Sequence, residues 1–65
     1  MIDWVSVIYQ CRMSDQKIAN HLAIPPARVR GWRQYGYQPR HDDGQALLAL
    51  WAAVTENSRE SAPTV

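Results

Sequence analysis

Arg28, Arg30 and Arg33 fall within six residues of one another, just after the pair Pro25-Pro26. Each guanidinium is a permanently charged planar fork that fits phosphate oxygens or the O6/N7 edge of guanine. Other reactive side chains are few. Cys11 with His21 or His41 could be read as a nucleophile and base, but nothing supplies an orienting third group or an oxyanion site. Asp42 and Asp43 are adjacent, so they point apart and do not form an acid/base pair across a cleft. No phosphate-cradling glycine loop and no metal-ligand spacing occur. The expected chemistry is recognition of an anion by arginines, with no catalysis, cofactor, metal or small-molecule substrate.

The charge distribution points the same way. Net charge is only +1, yet residues 12–41 hold six bases (Arg12, Lys17, Arg28, Arg30, Arg33, Arg40) against the single acid Asp15. No acid lies between Lys17 and Asp42, whereas residues 42–65 hold Asp42, Asp43, Glu56 and Glu60 against Arg59. A basic block inside a small domain implies a polyanion partner, most often nucleic acid; a solvated basic helix face is the plainer alternative. The 65 residues can build one core and leave no room for a deep substrate cavity. One cysteine excludes an internal disulfide and leaves too few soft ligands for structural zinc. No apolar run reaches the roughly 18 residues of a membrane span, and no basic stretch precedes an apolar one at the start, so neither membrane nor leader is expected. The expected setting is the reducing cytoplasm.

These residues must be positioned by helices. Asp3 can cap a helix over 3–12, with Trp4, Ile8 and Cys11 on its apolar stripe and Val5 widening it. The β-branched Ile2, Val5, Val7 and Ile8 would also suit a strand, but they do not alternate cleanly. Ser14 can cap a second helix with Ile18, Ala19 and Leu22 on its inner face. That helix must stop before Pro25-Pro26. Pro26 suits the first position of a third helix, which sends Val29 and Trp32 inward and ends near Gly36. Residues 36–42 read as a loop bent at Pro39. Asp42 or Asp43 is expected to cap a last helix, in which Leu47, Leu50, Trp51 and Val54 recur at helical spacing. Trp4, Leu47 and Trp51 are read as core. The composition after residue 57 predicts a flexible tail over 58–65 behind a domain of residues 1–57.

The stretch from Ile18 to Trp32 meets the requirements of two helices crossing at a tight turn. Ala19 is the small residue at the crossing and Ala23 the small turn residue. Ile24 plugs the corner, and Val29 and Trp32 return to the core. Counted from Asp15, residues 14–34 resemble the twenty-residue signature of phage repressor and Cro-type helix-turn-helix proteins, the lambda repressor-like group. The chain departs from that signature at Ala23, where the group usually has glycine. It departs again at Asp15, near a place where relatives touch phosphate with an uncharged side chain; Asp15 is therefore assigned to the helix N-terminus, where the helix dipole favours an acid. The tract from Tyr35 to Arg40, followed by a Leu/Ala-rich helix, also resembles small phage regulators, including those of anti-CRISPR operons.

The resemblance implies an all-α, four-helix domain containing a helix-turn-helix, and a sequence-specific double-stranded DNA-binding function of Cro-like repressor type. It places the base contacts on Pro26, Ala27, Arg28, Arg30, Gly31 and Gln34. Ala27 suits a thymine methyl, and Gly31 allows close approach of the helix. Phosphate contacts are expected from Gln16 and Lys17 at the start of the second helix, from Arg33, and from Tyr35, Tyr37, Arg40 and His41 after the third. Partial burial of Tyr35 beside Trp32 is an equal alternative, and His21 is read as exposed polar surface. One copy reaches a half-site only, so a homodimer is expected, through residues 44–57 with Leu48 off the core stripe, in the nucleoid-containing cytoplasm of a bacterial host. The competing expectations are a protein-binding module, such as a phage inhibitor of a host enzyme or polymerase, and a DNA-bending recombination accessory factor.

Overall fold

The computed structural model describes residues Met1–Val65 and is all-helical. Helices α1 (Trp4–Cys11), α2 (Asp15–Leu22), α3 (Pro26–Gln34) and α4 (His41–Thr55) are followed by a 3₁₀ turn over Arg59–Ser61. No helix is long and apolar enough to cross a membrane.

The helix starts follow local chemistry. Asp3 accepts the Ser6 amide at 3.2 Å and the Ser6 hydroxyl at 2.7 Å, fixing the first turn of α1 as a helix. Ser14 Oγ accepts the Lys17 amide at 3.2 Å and caps α2. Pro26 opens α3 after Pro25, whose backbone is extended. The expected cap of α4 is corrected: Arg40 holds the cap position without a side-chain bond, and Asp42 and Asp43 lie inside the first turn. The backbone carries the start itself, with the Gly44 amide on the Arg40 carbonyl at 2.7 Å, and the two acids favour the positive end of the helix dipole from within. Helix ends use left-handed residues at Arg12, Ala23 and Glu56, with φ of 56°, 58° and 58°.

The core comprises Val7, Ile8 and Cys11 of α1, Ile18 and Ala19 of α2, Val29 and Trp32 of α3, and Leu47, Leu48 and Trp51 of α4, closed by Ala62. Two stripes differ from expectation. On α1, Val7 is fully buried, whereas Trp4 and Val5 are half-buried. On α4, Leu48 is buried, Leu50 is half-buried and Val54 is 40% exposed. The reason is Gly44. The buried stripe runs 44, 47, 48, 51, one turn earlier than the apolar side chains suggest, because the Trp4 ring lies on Gly44. A Cβ there would stand 2.9 Å from Trp4 Cη2. A scan of apolar side chains does not count that glycine. Trp51 is then anchored by its Nε1–H, which donates to Gln10 Oε1 at 2.8 Å.

Residues 58–65 also depart from the expected flexible tail. Ala62 enters the core, Asp3 N donates to Pro63 O at 2.9 Å, and Val65 N donates to Met1 O at 3.0 Å. Ile2 and Thr64 form an isolated antiparallel bridge. This docking rests on main-chain hydrogen bonds, one small apolar side chain and a bond from Arg59 Nη1 to Gln45 Oε1 of α4 at 3.5 Å, which a polar composition conceals.

Candidate functional site

Helices α2 and α3 are joined by Ala23, Ile24 and Pro25 and pack against each other. Ala23 takes the left-handed conformation, and the Ile24 amide returns to the Ala19 carbonyl at 3.1 Å. This closes the end of α2 and sends the chain into α3. Val29 and Trp32 then hold α3 to the core, so its remaining faces are set by helical geometry.

Those faces have three different environments. Ala27, Arg30 and Gln34 stand at i, i+3 and i+7 and are all exposed. On one flank, Arg28 Nη1 donates to Asp43 Oδ2 in the first turn of α4 at 3.2 Å. On the other flank, Arg33 is drawn along the start of α2. Its Nε lies 2.9 Å from Asp15 Oδ1, its Nη2 donates to the Met13 carbonyl at 2.8 Å, and its guanidinium carbon sits 5.3 Å from the centre of the Tyr9 ring. The Nε–H is not aimed at Oδ1, so this contact is an ion pair in a buried pocket rather than an aligned hydrogen bond. Asp15 Oδ2 faces Arg30 Nε at 3.9 Å.

Three site expectations change accordingly. Arg33 is not a free phosphate ligand, because its guanidinium is held by the Asp15 carboxylate, the Met13 carbonyl and the Tyr9 ring and its side chain is only 20% exposed. Gly31 does not open the helix to a partner. It is buried beneath the Tyr37 ring, whose Cδ2 would lie 3.0 Å from an added Cβ. Asp15 does stand in the first turn of α2, but its carboxylate also faces two arginines of α3. Pro26 is half-buried, so it presents little surface.

The other predicted residues lie at the surface around α3. Gln16 and Lys17 are exposed at the start of α2, with Gln16 Nε2 donating to Asn20 Oδ1 at 3.0 Å. Lys17, Asn20 and His21 line a shallow polar depression. Beyond α3, Tyr35 and Tyr37 are 67% and 63% exposed. Their rings pack with centroids 5.5 Å apart, so Tyr35 is not buried beside Trp32. Gly36 between them, at φ 70°, makes the turn that brings the Tyr37 ring back over α3. Arg40 and His41 are exposed at the entry to α4.

Cys11 is buried, and burial pushes its thiol above the ordinary value, with nearby Arg33 pulling it partly back. Such a thiol carries little thiolate near neutral pH. The residues that sequence reading missed are Asp43, Tyr9 and the Met13 carbonyl. Each fixes an arginine at a separation of 15 or more residues, where no local pattern signals the contact. Comparison with family models, with curated proteins and with solved structures gives no match. The chemistry of this surface is therefore read from its own side chains.

Proposed function

We propose that the chain is a small sequence-specific double-stranded DNA-binding regulator of helix-turn-helix type, acting as a Cro-like repressor. The observation that carries this reading is the exposed stripe Ala27, Arg30, Gln34 on a helix whose opposite side is fixed by Val29 and Trp32. A helix so held offers a small apolar group, a guanidinium fork and an amide in one row. These suit a thymine methyl, guanine O6/N7 and adenine N6/N7 respectively. Lys17 and Gln16 on one side, and Tyr35, Tyr37, Arg40 and His41 on the other, supply phosphate contacts that fix register. Arg28, expected at a base edge, reaches DNA by exchanging Asp43 for a DNA acceptor.

The domain measures 26 × 21 × 20 Å. One helical turn of DNA is about 34 Å, so a single copy reads one half-site and a homodimer on a near-palindrome gives useful specificity. Leu48 is buried and does not serve such an interface. The exposed outer side of α4, with Ala46, Ala53 and Val54, is the surface for self-association. This reading places the protein with the nucleoid in the cytoplasm.

The exposed Tyr35–Tyr37 pair favours a second reading, a module that binds an acidic protein surface. Selection of bound duplexes from a random pool, followed by binding at graded salt, separates the two. A palindromic consensus with affinity falling steeply in salt supports the DNA reading. No enrichment and no duplex binding at low salt overturns it.

A further inference from the structure

We propose that Asp15 is a positioning residue for Arg30, one that sharpens discrimination between DNA sequences rather than adding affinity. The inference rests on the DNA reading of the α3 surface. The Asp15 carboxylate is divided between two arginines one turn apart on α3, with Oδ1 at 2.9 Å from Arg33 Nε and Oδ2 at 3.9 Å from Arg30 Nε. Arg33 is itself immobilised by the Met13 carbonyl and the Tyr9 ring. It therefore fixes Asp15, and Asp15 in turn presents a fixed negative edge to Arg30.

The direction of that contact matters. Arg30 approaches Asp15 through Nε, while its side chain remains 57% exposed. The Nη pair at the far end of the guanidinium is thus the part left for a partner, and it is the part that can bond two acceptors end-on. A free arginine loses more side-chain freedom on docking than most residues. One whose Nε edge is biased by a fixed carboxylate at ion-pair distance loses less, and gains only where the acceptor pair is in the right place.

The carboxylate also has an opposite effect that is blind to sequence. A negative charge beside the recognition surface repels phosphate on every duplex equally. Asp15 therefore weakens binding to all DNA a little and strengthens it where Arg30 meets a guanine. The repulsion cancels in the ratio of preferred to random sites, and only the positioning of Arg30 widens the gap between them.

The test compares wild type with Asp15→Asn, which keeps the shape and removes the charge, on the selected duplex and on random duplex at one salt concentration. The ratio of the two affinities is expected to fall roughly tenfold, within the discrimination one bidentate contact supplies. The loss should be confined to the base position whose preference Arg30→Ala relaxes, and random duplex should bind at least as tightly as before. In an Arg30→Ala background, Asp15→Asn should leave the ratio unchanged. An unchanged ratio with both affinities raised together overturns the proposal, as does the same loss of ratio in the Arg30→Ala background. Should Asp15→Asn fail to fold because Arg33 loses its partner, the order of the Arg30 Nε–H vector in the free wild-type protein, read by nitrogen-15 NMR relaxation, tests the contact directly. It should be higher than at the exposed Arg12 and Arg40; equal order overturns the proposal without any DNA. Wild-type protein that binds no duplex overturns the DNA reading and this inference with it. Duplex binding whose base preference survives Asp15→Asn overturns this inference alone.

Discussion

Arg33 on α3 and Asp15 on α2 face each other at 2.9 Å across the seam between the two helices. Both side chains are about four-fifths buried. The pair does for the packing of α2 and α3 what an apolar contact does elsewhere, but with a charge on each side that cannot be left alone. Removing one member strands the other in a pocket where water reaches it poorly.

Arg33→Met, which keeps much of the aliphatic stem, is therefore expected to destabilise the domain. Breaking a fully buried pair costs about 3–5 kcal/mol; the residual exposure here reduces this to about 2–3 kcal/mol. Denaturant unfolding measures it. Because Arg33 is turned into the fold, the dependence of DNA affinity on salt should stay at the wild-type slope in the folded variant. A stable Arg33→Met protein with a shallower slope would return Arg33 to the phosphate contacts.

Arg30→Ala and Lys17→Ala should fail differently. Arg30→Ala is expected to cost about 1–3 kcal/mol on the preferred duplex and to relax preference at one base position. Lys17→Ala should weaken binding evenly across sequences and reduce the salt slope by about 1. Equal loss on preferred and random duplex for Arg30→Ala would make Arg30 a phosphate contact. Titrations of both variants at several salt concentrations decide the assignment.

The helices were legible in the sequence because their signals are local. Asp3, Ser14 and Pro26 mark starts within a turn of where the chain becomes helical, and Val29 and Trp32 declare the inner face of α3 by spacing alone. What the sequence concealed is contact over distance. Gly44 has no side chain for a periodicity to register, so the buried face of α4 shifts unannounced and Leu48 exchanges roles with Val54. The arginines of α3 look equivalent in a row of letters. They differ only because Asp43, Asp15 and Tyr9 arrive from other helices, pairing Arg28 and Arg33 closely and touching Arg30 only along its Nε edge.

Acid should loosen α1 in a defined window. Hydrogen bonds from the Ser6 hydroxyl and amide hold the Asp3 carboxyl below its ordinary value of 3.8. A carboxyl depressed in the folded state contributes stability that is complete above the unfolded value and is lost as pH falls through the lower folded one. Asp3→Asn should therefore melt below wild type at neutral pH, and the two melting curves should converge in acid below the ordinary carboxyl range. A gap that persists unchanged to the lowest pH would mean the cap works through shape and not through its charge.

Cys11 should be slow to react for as long as the domain is folded. Its thiol is buried and held above its ordinary value, so both access and thiolate fraction are low. A disulfide reagent at mildly alkaline pH is expected to label the native protein at a rate set by opening of the fold, and the denatured protein at once. Arg33→Met should accelerate labelling by lowering stability, even though it also removes the one nearby charge that favours thiolate. Slower labelling of that variant would show that the Arg33 charge outweighs opening.

Ala23 offers a test of the turn itself. It sits at φ 58°, the left-handed region in which a Cβ crowds the following carbonyl. Glycine carries no such crowding, but it also gives the unfolded chain more freedom, and the two effects oppose each other. The first is worth roughly 1–2 kcal/mol per residue and the second about 0.4–1 kcal/mol. Ala23→Gly is therefore expected to raise stability by about 0.5–1 kcal/mol while leaving the spectrum of the folded state unchanged. The exposed position of Ala23 means that no packing is lost in the exchange. Equilibrium unfolding in denaturant measures the difference. A destabilised glycine variant would show that the turn between α2 and α3 does not hold its left-handed residue in solution, and the direction in which α3 leaves α2 would have to be set by Ile24 and the two prolines instead.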